Sequence, residues 1–173
     1  SALCLVSVTT AMPASASPKG WDNASTIGVG ILAGAALLVP AVQGDWKGDL
    51  QAGESLGAAF AVSYGLKKAF PEERPDHSDR QSFPSGHASL SFAAAASLQN
   101  RYGWEVGLPA QILAAFVGTA RVEARKHHWY DVVAGAAIGE SSGFLLTSKR
   151  NSRVRVLPWG DAHGAGMALG MRF

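Results

Sequence analysis

Charge-free apolar segments alternate along the chain with short charged ones, and this pattern predicts a helical bundle. The longest apolar segment runs from residue 23 to residue 44 without a charged side chain. Ser25 or Thr26 can cap the start of this helix, and Pro40 should end or kink its last turn. At about 20 residues, it is the one predicted helix long enough to cross a lipid bilayer.

Four further helices are predicted after this first one. Leu56, Phe60 and Tyr64 recur at a spacing of four, which is typical of one face of a helix. The predicted helices cover about 50–69, 85–99, 108–124 and 128–147, and a polar loop with three prolines covers 71–84. Their charge-free parts of about 12–15 residues favour buried core helices over membrane spans, although a small membrane enzyme can enclose polar residues in its bundle. We therefore predict an all-α fold, a compact bundle of about five helices.

The two ends of the chain differ from this helical body. Residues 1–17 combine a short apolar stretch with Ala14-Ser15-Ala16, a small-residue pattern like a secretory cleavage site, so we expect a truncated export-signal-like leader. Export would place the mature protein in the periplasm, either free, bound to a membrane or embedded in one. Residues 151–173 alternate in character around Pro158-Trp159-Gly160-Asp161, which predicts a short C-terminal β-hairpin or an extended tail. The helical domain is then expected to cover 18–150.

Composition excludes several classes of protein. Apolar residues make up 47% of the 173 residues and charged residues 16%, so the chain has ample apolar surface to bury and is not a disordered one. A formal net charge of +2 argues against a nucleic-acid binder with a dense basic face. The single cysteine, Cys4, excludes an internal disulfide framework and a cysteine-based zinc site.

A first cluster of candidate anion-binding residues pairs Lys67, at the end of the second predicted helix, with Arg74 in the polar loop. Pro75 favours an extended backbone at Arg74, so that its guanidinium projects from the loop. A guanidinium binds an oxyanion through two parallel hydrogen bonds, and an ammonium binds it as a point charge. Taken alone, two such cations are more often solvated surface residues.

The second cluster is Pro84-Ser85-Gly86-His87 at the start of the third predicted helix. Ser85 can cap this helix, Gly86 leaves room for a ligand, and the free N–H groups of the first turn form an anion site. His87 is then placed to give a proton to a leaving oxygen. An ordinary cap beside a surface histidine explains the tetrapeptide equally well.

The third cluster contains Arg121, His127 and Asp131. If the fifth helix begins near His127, Asp131 lies one turn further on the same face. Its carboxylate can accept the imidazole N–H and leave the other ring nitrogen free to attack. The neighbouring His128 can also reach Asp131. The spacing of four continues at Gly135 and Gly139 and predicts close approach of another helix.

In this order, the three clusters resemble the signature of the type-2 phosphatidic acid phosphatase superfamily, which also contains bacterial acid phosphatases and vanadium haloperoxidases. The signature is Lys-x6-Arg-Pro, then Pro-Ser-Gly-His, then Ser-Arg-x5-His-x3-Asp, and the resemblance covers about 60–145 of this chain. One position departs from it, because Ala120 stands where the family has a serine. This difference places one hydrogen bond in question.

The resemblance implies a metal-independent phosphatase without a cofactor, which hydrolyses phosphate monoesters, above all lipid phosphates, through a phosphohistidine. His127 is then the nucleophile, Asp131 orients it, and His87 protonates the leaving alcohol and afterwards activates water. The implied phosphate-binding residues are Lys67, Arg74, Ser85, Gly86 and Arg121. Fixed cations and helix-start N–H groups can neutralise a transferring phosphoryl group without magnesium.

Two other functions and one choice of residue stay open at this point. A vanadium haloperoxidase uses the same cradle to hold vanadate, and a phosphate- or lipid-headgroup-binding protein keeps it without turnover. His128 competes with His127 for Asp131. The expected partners are a lipid-linked phosphate ester and a membrane or its surface, because tryptophans lie near the ends of the predicted helices, as interfacial anchors do. No nucleic-acid partner is expected.

Overall fold

The computed structural model describes residues 17–150 and the backbones of 154–161 and 164–171. Its five helices are α1 (Pro18–Val42), α2 (Trp46–Ala69), α3 (Gly86–Tyr102), α4 (Trp104–Glu123) and α5 (Trp129–Leu146). Two strands, β1 (Val154–Asp161) and β2 (Gly164–Met171), pair in an antiparallel sheet. The predicted all-α fold of five helices is confirmed, and the paired strands agree with the hairpin alternative. The leader predicted before residue 17 lies outside the described residues.

Helix α1 begins at Pro18, eight or nine residues before the start that the predicted caps Ser25 and Thr26 imply. Ser17 is its N-cap, accepts a hydrogen bond from the Gly20 N–H at 3.1 Å, and is followed by a proline in the first helical position. A serine followed by proline is a strong start signal. Ser25 and Thr26, predicted as caps, instead lie inside the helix and donate to the Asp22 carbonyl at 2.7 and 3.0 Å.

Helix α4 also begins earlier than predicted, at Trp104. Gly103 separates it from α3 and has a φ of +89°, a left-handed conformation that favours glycine. Pro109 therefore lies inside the helix near its start, where the prediction had placed the beginning. Trp46, Trp104 and Trp129 each form the first residue of a helix, so the predicted tryptophans at element ends are confirmed there.

Small residues form the centre of the bundle. Residues Ala93 to Ala96 of α3 are completely buried, and glycines of α5 lie directly against this helix. A β-carbon at Gly139 would lie only 2.3 Å from the Ser89 carbonyl oxygen, and one at Gly135 only 2.5 Å from the Ser85 carbonyl oxygen. The predicted close helix approach is thus confirmed, and it brings the N-terminal ends of α3 and α5 together.

Large apolar side chains lie on the outside of the bundle. In α1, Ile27, Ile31, Leu38 and Val42 are each more than half exposed. The exposed apolar surface continues over α2, α4 and α5 with Leu50, Phe60, Leu108, Ile112, Val133 and Leu145. Of the four helices predicted to be buried core helices, α3 fits the prediction, whereas α2, α4 and α5 carry large apolar residues on the outside of the bundle. In the described part of the chain, α1 is the one helix long and apolar enough to cross a membrane.

Candidate active site

The predicted site residues lie at one end of the bundle, which we call the site end. There α1, α3 and α5 begin and α2 and α4 end, and the α2–α3 loop, residues 70–85, crosses between them. The backbone N–H of Ser85 donates to the Asp131 carbonyl at 3.0 Å, which joins the starts of α3 and α5. At the opposite end, Arg101 of α3 binds Asp45, the N-cap of α2. The bundle is therefore fixed at both ends.

His127 lies in the short connection between α4 and α5 and is almost completely buried. Its Nδ1 lies 2.8 Å from the carbonyl oxygen of Ser82 in the α2–α3 loop. The Asp131 carboxylate is further away, with Oδ2 at 3.7 Å from the same nitrogen. A carbonyl oxygen accepts hydrogen bonds, so Nδ1 carries the proton and Nε2 is the nitrogen with a free lone pair.

Asp131 acts on His127 through the loop that holds it. Its Oδ2 accepts a hydrogen bond from the Ser82 hydroxyl at 2.5 Å and another from the His128 backbone N–H at 2.8 Å. Asp131 is fully buried, and these bonds fix both the Ser82 backbone and the start of α5. The predicted pairing of Asp131 with His127 is thus mainly indirect, and Ser82 lies between them.

Lys67 anchors the α2–α3 loop from the last turn of α2. Its ammonium donates to three backbone carbonyl oxygens, at 2.7 Å for Gln81, 3.3 Å for Ser82 and 2.6 Å for Pro84. These bonds hold the segment that carries the Ser82 carbonyl against the site. The Lys67 charge nevertheless acts electrostatically on His127, as do the charges of Arg121 and Arg74.

The two arginines are held from opposite sides of the site. The Arg74 Nε donates to Asp79 at 2.7 Å within the loop, and its Nη1 donates to the Lys126 carbonyl oxygen at 3.3 Å. Arg121 is buried near the end of α4, where its Nη1 donates to Asp22 and, at 3.1 Å, to Ser25. The Nε of Arg121 is buried and has no partner among the described residues.

Ser85 and Gly86 form the start of α3 as predicted. The Ser85 side chain accepts a hydrogen bond from the Ala88 N–H at 3.4 Å, so Ser85 is the N-cap. A β-carbon at Gly86 would meet nothing nearer than the Lys67 Cε at 3.9 Å, so the space beside this glycine is open. A small cavity of about 60 Å³ lies there, lined by Lys67 and Gly86 and by Phe60, Ser63 and Tyr64 of α2.

His87 lies in the first turn of α3, with its Nε2 at 3.4 Å from the Thr26 hydroxyl of α1. Burial, together with the nearby charges of Arg121 and His127, lowers the pKa of His87 to about 4. The pKa of His127 is also lowered to about 4, mainly by burial. The charges of Lys67 and Arg121 lower this pKa too, whereas Asp131 raises it. Both imidazoles are therefore neutral near pH 7 in the free protein.

His128 occupies a structural position beside the site. It is the N-cap of α5, and its ring stacks on Tyr130 with a centroid distance of 5.0 Å and an angle of 5°. Its Nδ1 lies 3.4 Å from Asp131 Oδ2 and 3.8 Å from Glu72 Oε1. These three side chains form the one group in the described residues with a spacing suited to a metal ion. Hydrogen bonds from Tyr130 and Ser82 already engage the two carboxylates.

Three contacts of the site were not predicted from the sequence: Ser82 with His127, Asp22 with Arg121, and Thr26 with His87. Asp22 lay just before the predicted start of the first helix, and Thr26 was expected as a cap. Recognition of Ser17-Pro18 as a start signal would have placed both residues inside α1. Ser82 had no sequence signal beyond its place in a polar loop, because its contribution includes a backbone carbonyl.

Similarity to known proteins shows the family of this chain. A sequence profile of the PAP2 superfamily matches residues 49–155. The lipid A 4'-phosphatase of Helicobacter pylori is 36% identical over 99 residues, which are 51% of this chain and 50% of that protein. The decaprenylphosphoryl-5-phosphoribose phosphatase of Mycobacterium tuberculosis is 29% identical over 130 residues, 69% of this chain and 70% of that protein. This chain thus spans half the length of the Helicobacter pylori relative.

A solved structure shares the fold. The crystal structure of Aquifex aeolicus LpxE superposes with a TM-score of 0.64 at 21% sequence identity and covers 75% of this chain and 84% of that one. The profile match includes every predicted site residue from Lys67 to Asp131. The chain belongs to the PAP2 superfamily.

Proposed function

We propose that this protein is a phosphatase that hydrolyses phosphate monoesters of membrane lipids through a phosphohistidine at His127, without a metal ion. The observation that carries the proposal is the fixed orientation of His127. Its Nδ1 is bonded to the Ser82 carbonyl, so Nε2 is left as the nucleophile. This buried ring lies in the field of three cations, Lys67, Arg121 and Arg74.

Binding of the phosphate group is assigned to these cations and to the first turn of α3. The buried Nε of Arg121 has no partner among the described residues, and a phosphate oxygen is a fitting acceptor for it. The N–H groups at the start of α3 are oriented to bind a second oxygen beside Gly86. Together these donors stabilise the charge that develops on the transferring phosphoryl group.

The reaction then proceeds in two displacements. His127 Nε2 attacks phosphorus, an N–P bond forms, and the ester P–O bond breaks, while His87 gives its proton to the leaving alkoxide. Water attacks the phosphohistidine, and His87 takes a proton from it as the N–P bond breaks, which releases inorganic phosphate. A bound phosphate dianion raises the pKa of His87 from its low value in the free protein, and so provides the protonated acid.

The lipid nature of the substrate and the membrane location rest on the exterior of the bundle and on the relatives. Exposed apolar side chains cover α1 and continue over α4 and α5, and α1 is long enough to cross a bilayer. Such a continuous apolar surface is typical of a protein in contact with lipid. The two relatives are named as phosphatases of lipid-linked phosphates. We further propose that residues 18–150 are the catalytic domain, and that residues 1–17 direct export to the periplasm.

The experiment compares two leaving groups. The detergent-solubilised chain should release phosphate from both phosphatidic acid and p-nitrophenyl phosphate, and H127A should release none from either. H87N should lose about 10²–10⁴-fold in kcat/KM with the lipid, because its alkoxide needs a proton, and much less with p-nitrophenyl phosphate. We compare kcat/KM because it covers the steps up to release of the alcohol and excludes the hydrolysis of the phosphohistidine, which both substrates share. Equal losses of H87N on the two substrates would contradict the role of His87 as the acid. No hydrolysis by the wild type would overturn the proposed function.

A further inference from the structure

A second pocket lies beside the proposed phosphate site, on the outer side of Asp22. It has a volume of about 340 Å³ and lies between the start of α1 and the connection from α4 to α5. We call it the outer pocket. Lys19, Asp22, Asp76, Arg125 and Lys126 supply its charged wall. Because Asp22 also binds Arg121, the outer pocket and the phosphate site share one wall.

The carboxylates of the outer pocket are each paired with a cation. Asp22 accepts a hydrogen bond from Arg121. The Asp76 carboxylate lies 2.6 Å from the Lys126 ammonium. Burial raises the pKa of Asp76, but the hydrogen bonds from Lys126 and Ser78 outweigh this effect and hold the pKa well below its usual range. Each carboxylate therefore has a cationic partner that offsets its charge. The charges that remain in the wall are positive.

Lys19 and Arg125 provide these remaining charges. Both are exposed, and neither side chain makes a hydrogen bond or ion pair with the residues that the structure describes. Two cations on the rim of a pocket that is otherwise neutral form an attractive site for an anionic group. Arg125 can bind such a group through two parallel hydrogen bonds.

The backbone at Arg125 has a conformation that favours glycine. Arg125 has a φ of +55°, and its N–H donates to the Val122 carbonyl at 2.9 Å, while the Lys126 N–H donates to the Arg121 carbonyl at 3.1 Å. This pattern ends α4 in the way that usually requires glycine at the position of Arg125. Arginine is less favourable than glycine in this left-handed conformation. The chain nevertheless has arginine at this position, where the side chain lines the outer pocket.

We propose that the outer pocket binds a second anionic group of the substrate, so that the preferred substrates are phosphate monoesters that carry another phosphate or a similar anion. This inference rests on the proposed function, since it assigns the first phosphate to the site of Arg121 and His127. The second anion binds to Arg125 and Lys19 while the first occupies the phosphate site.

The test measures binding rather than turnover, so that it is independent of the proposed chemistry. The H127A chain of residues 1–173 in detergent is titrated calorimetrically with alkanediol bisphosphates of increasing spacer length and with the matched alkyl monophosphates. At the spacer length that spans both sites, we expect the bisphosphate to bind about tenfold more tightly than the matched monophosphate. Two identical ends alone would give a statistical advantage of roughly twofold. R125G and K19A should each remove most of this preference, and R125K should keep part of it.

Matched controls separate binding from folding. R125G places glycine where φ is positive, so its melting temperature should equal or exceed that of the parent, and any loss of binding then belongs to the side chain. K149A removes an equal charge at the opposite end of the bundle and should leave the preference unchanged. In the protein that keeps His127, K149A should hydrolyse p-nitrophenyl phosphate at the wild-type rate.

The results that would overturn the inference are distinct from failure of the proposed function. Equal affinity for bisphosphates and monophosphates at every spacer length, or a preference that survives in the K19A and R125G double variant, contradicts the outer pocket as a subsite. Binding of neither ligand also contradicts it. If the wild type hydrolyses no phosphate monoester, the proposed phosphatase activity is refuted. The preference for bisphosphates measured by calorimetry still decides whether the outer pocket binds an anion.

Discussion

The Nδ1 atom of His127 lies 2.8 Å from the carbonyl oxygen of Ser82. A backbone carbonyl therefore fixes the tautomer of the proposed nucleophile, a task commonly carried out by a carboxylate. Asp131 supports this contact from behind, because its Oδ2 accepts the Ser82 hydroxyl at 2.5 Å. The carboxylate thus acts on the loop position and on the charge of the ring more than on the tautomer.

This arrangement predicts a limited effect of D131N. The asparagine side chain of this variant can keep an oxygen at the Oδ2 position, where the Ser82 hydroxyl and the His128 N–H donate. It can place its amide nitrogen at the Oδ1 position, which has no partner among the described residues. The charge is lost, but the Ser82 carbonyl remains. We expect kcat to fall about 10- to 100-fold, as measured with p-nitrophenyl phosphate. A loss near 10⁴-fold, as when a carboxylate alone sets the tautomer, would contradict this account.

The two histidines predict that kcat and kcat/KM differ in their pH dependence. The pKa of both His87 and His127 is about 4 in the free protein, and the working form needs neutral His127 and protonated His87. kcat/KM reports the free enzyme, so it should be highest on the acid side and fall toward neutral pH as His87 loses its proton. In the complex, the phosphate raises the pKa of His87, so the alkaline limb of kcat should lie at least about one pH unit higher.

The control for the pH profiles is H87N. This variant should lose the alkaline limb of kcat, because the group that titrates there is absent, while the acid limb from His127 should remain. Coincident profiles of kcat and kcat/KM in the wild type, or an alkaline limb that persists in H87N, would show that His87 is not the acid.

H128A is predicted to keep most of the activity. His128 caps α5 and stacks on Tyr130, so its loss should lower the free energy of unfolding by about 1 kcal/mol, but it holds no reacting group.

Dialysis against a strong chelator should leave kcat unchanged, because arginine and lysine supply the positive charge of the site. A loss of activity on chelation, matched by a similar loss in H128A, would instead assign a metal to Glu72, His128 and Asp131.

The glycines of α5 predict a sharp difference between two alanine substitutions. G139A places a β-carbon 2.3 Å from the Ser89 carbonyl oxygen and 2.7 Å from the Ala93 nitrogen, so α3 and α5 must separate. We expect a destabilisation of about 2–3 kcal/mol, seen as a lower melting temperature. G30A in α1 meets nothing within 4 Å and should raise the stability by about 0.5–1 kcal/mol. Equal melting temperatures would contradict the close packing of these helices.

The sequence predicted those parts of the fold and site that depend on local spacing. Ser85 as the cap of α3 and Gly135 against α3 follow from periodicity within one helix, and the structure confirms both. The start of α1 was predicted wrongly, because the Ser17-Pro18 signal precedes the charge-free segment that defined the helix. Spacing along the chain also carries no information on the contact between Ser82 and His127, which joins two loops 45 residues apart through a backbone atom.

The outward position of the large apolar residues could not be predicted from the lengths of apolar segments. Helix α3 consists largely of alanine and serine, so neighbouring helices pack close to it. Many of the large apolar residues of those helices therefore lie on the outside of the bundle. Segment length measures how many apolar residues occur together, but it does not tell which side of the helix they occupy. The exposure of Ile112 in α4 and Val133 in α5 became evident only from the packing.

The most direct test of the central claim is to trap the phosphorylated protein. The wild-type chain is mixed with a radiolabelled phosphate monoester, quenched in alkali within one turnover, digested, and the labelled peptide sequenced by mass spectrometry. We predict one phosphoryl group on Nε2 of His127, present in H128A and absent in H127A. Label on His87 or His128, or full turnover without any labelled histidine, would contradict the proposed mechanism.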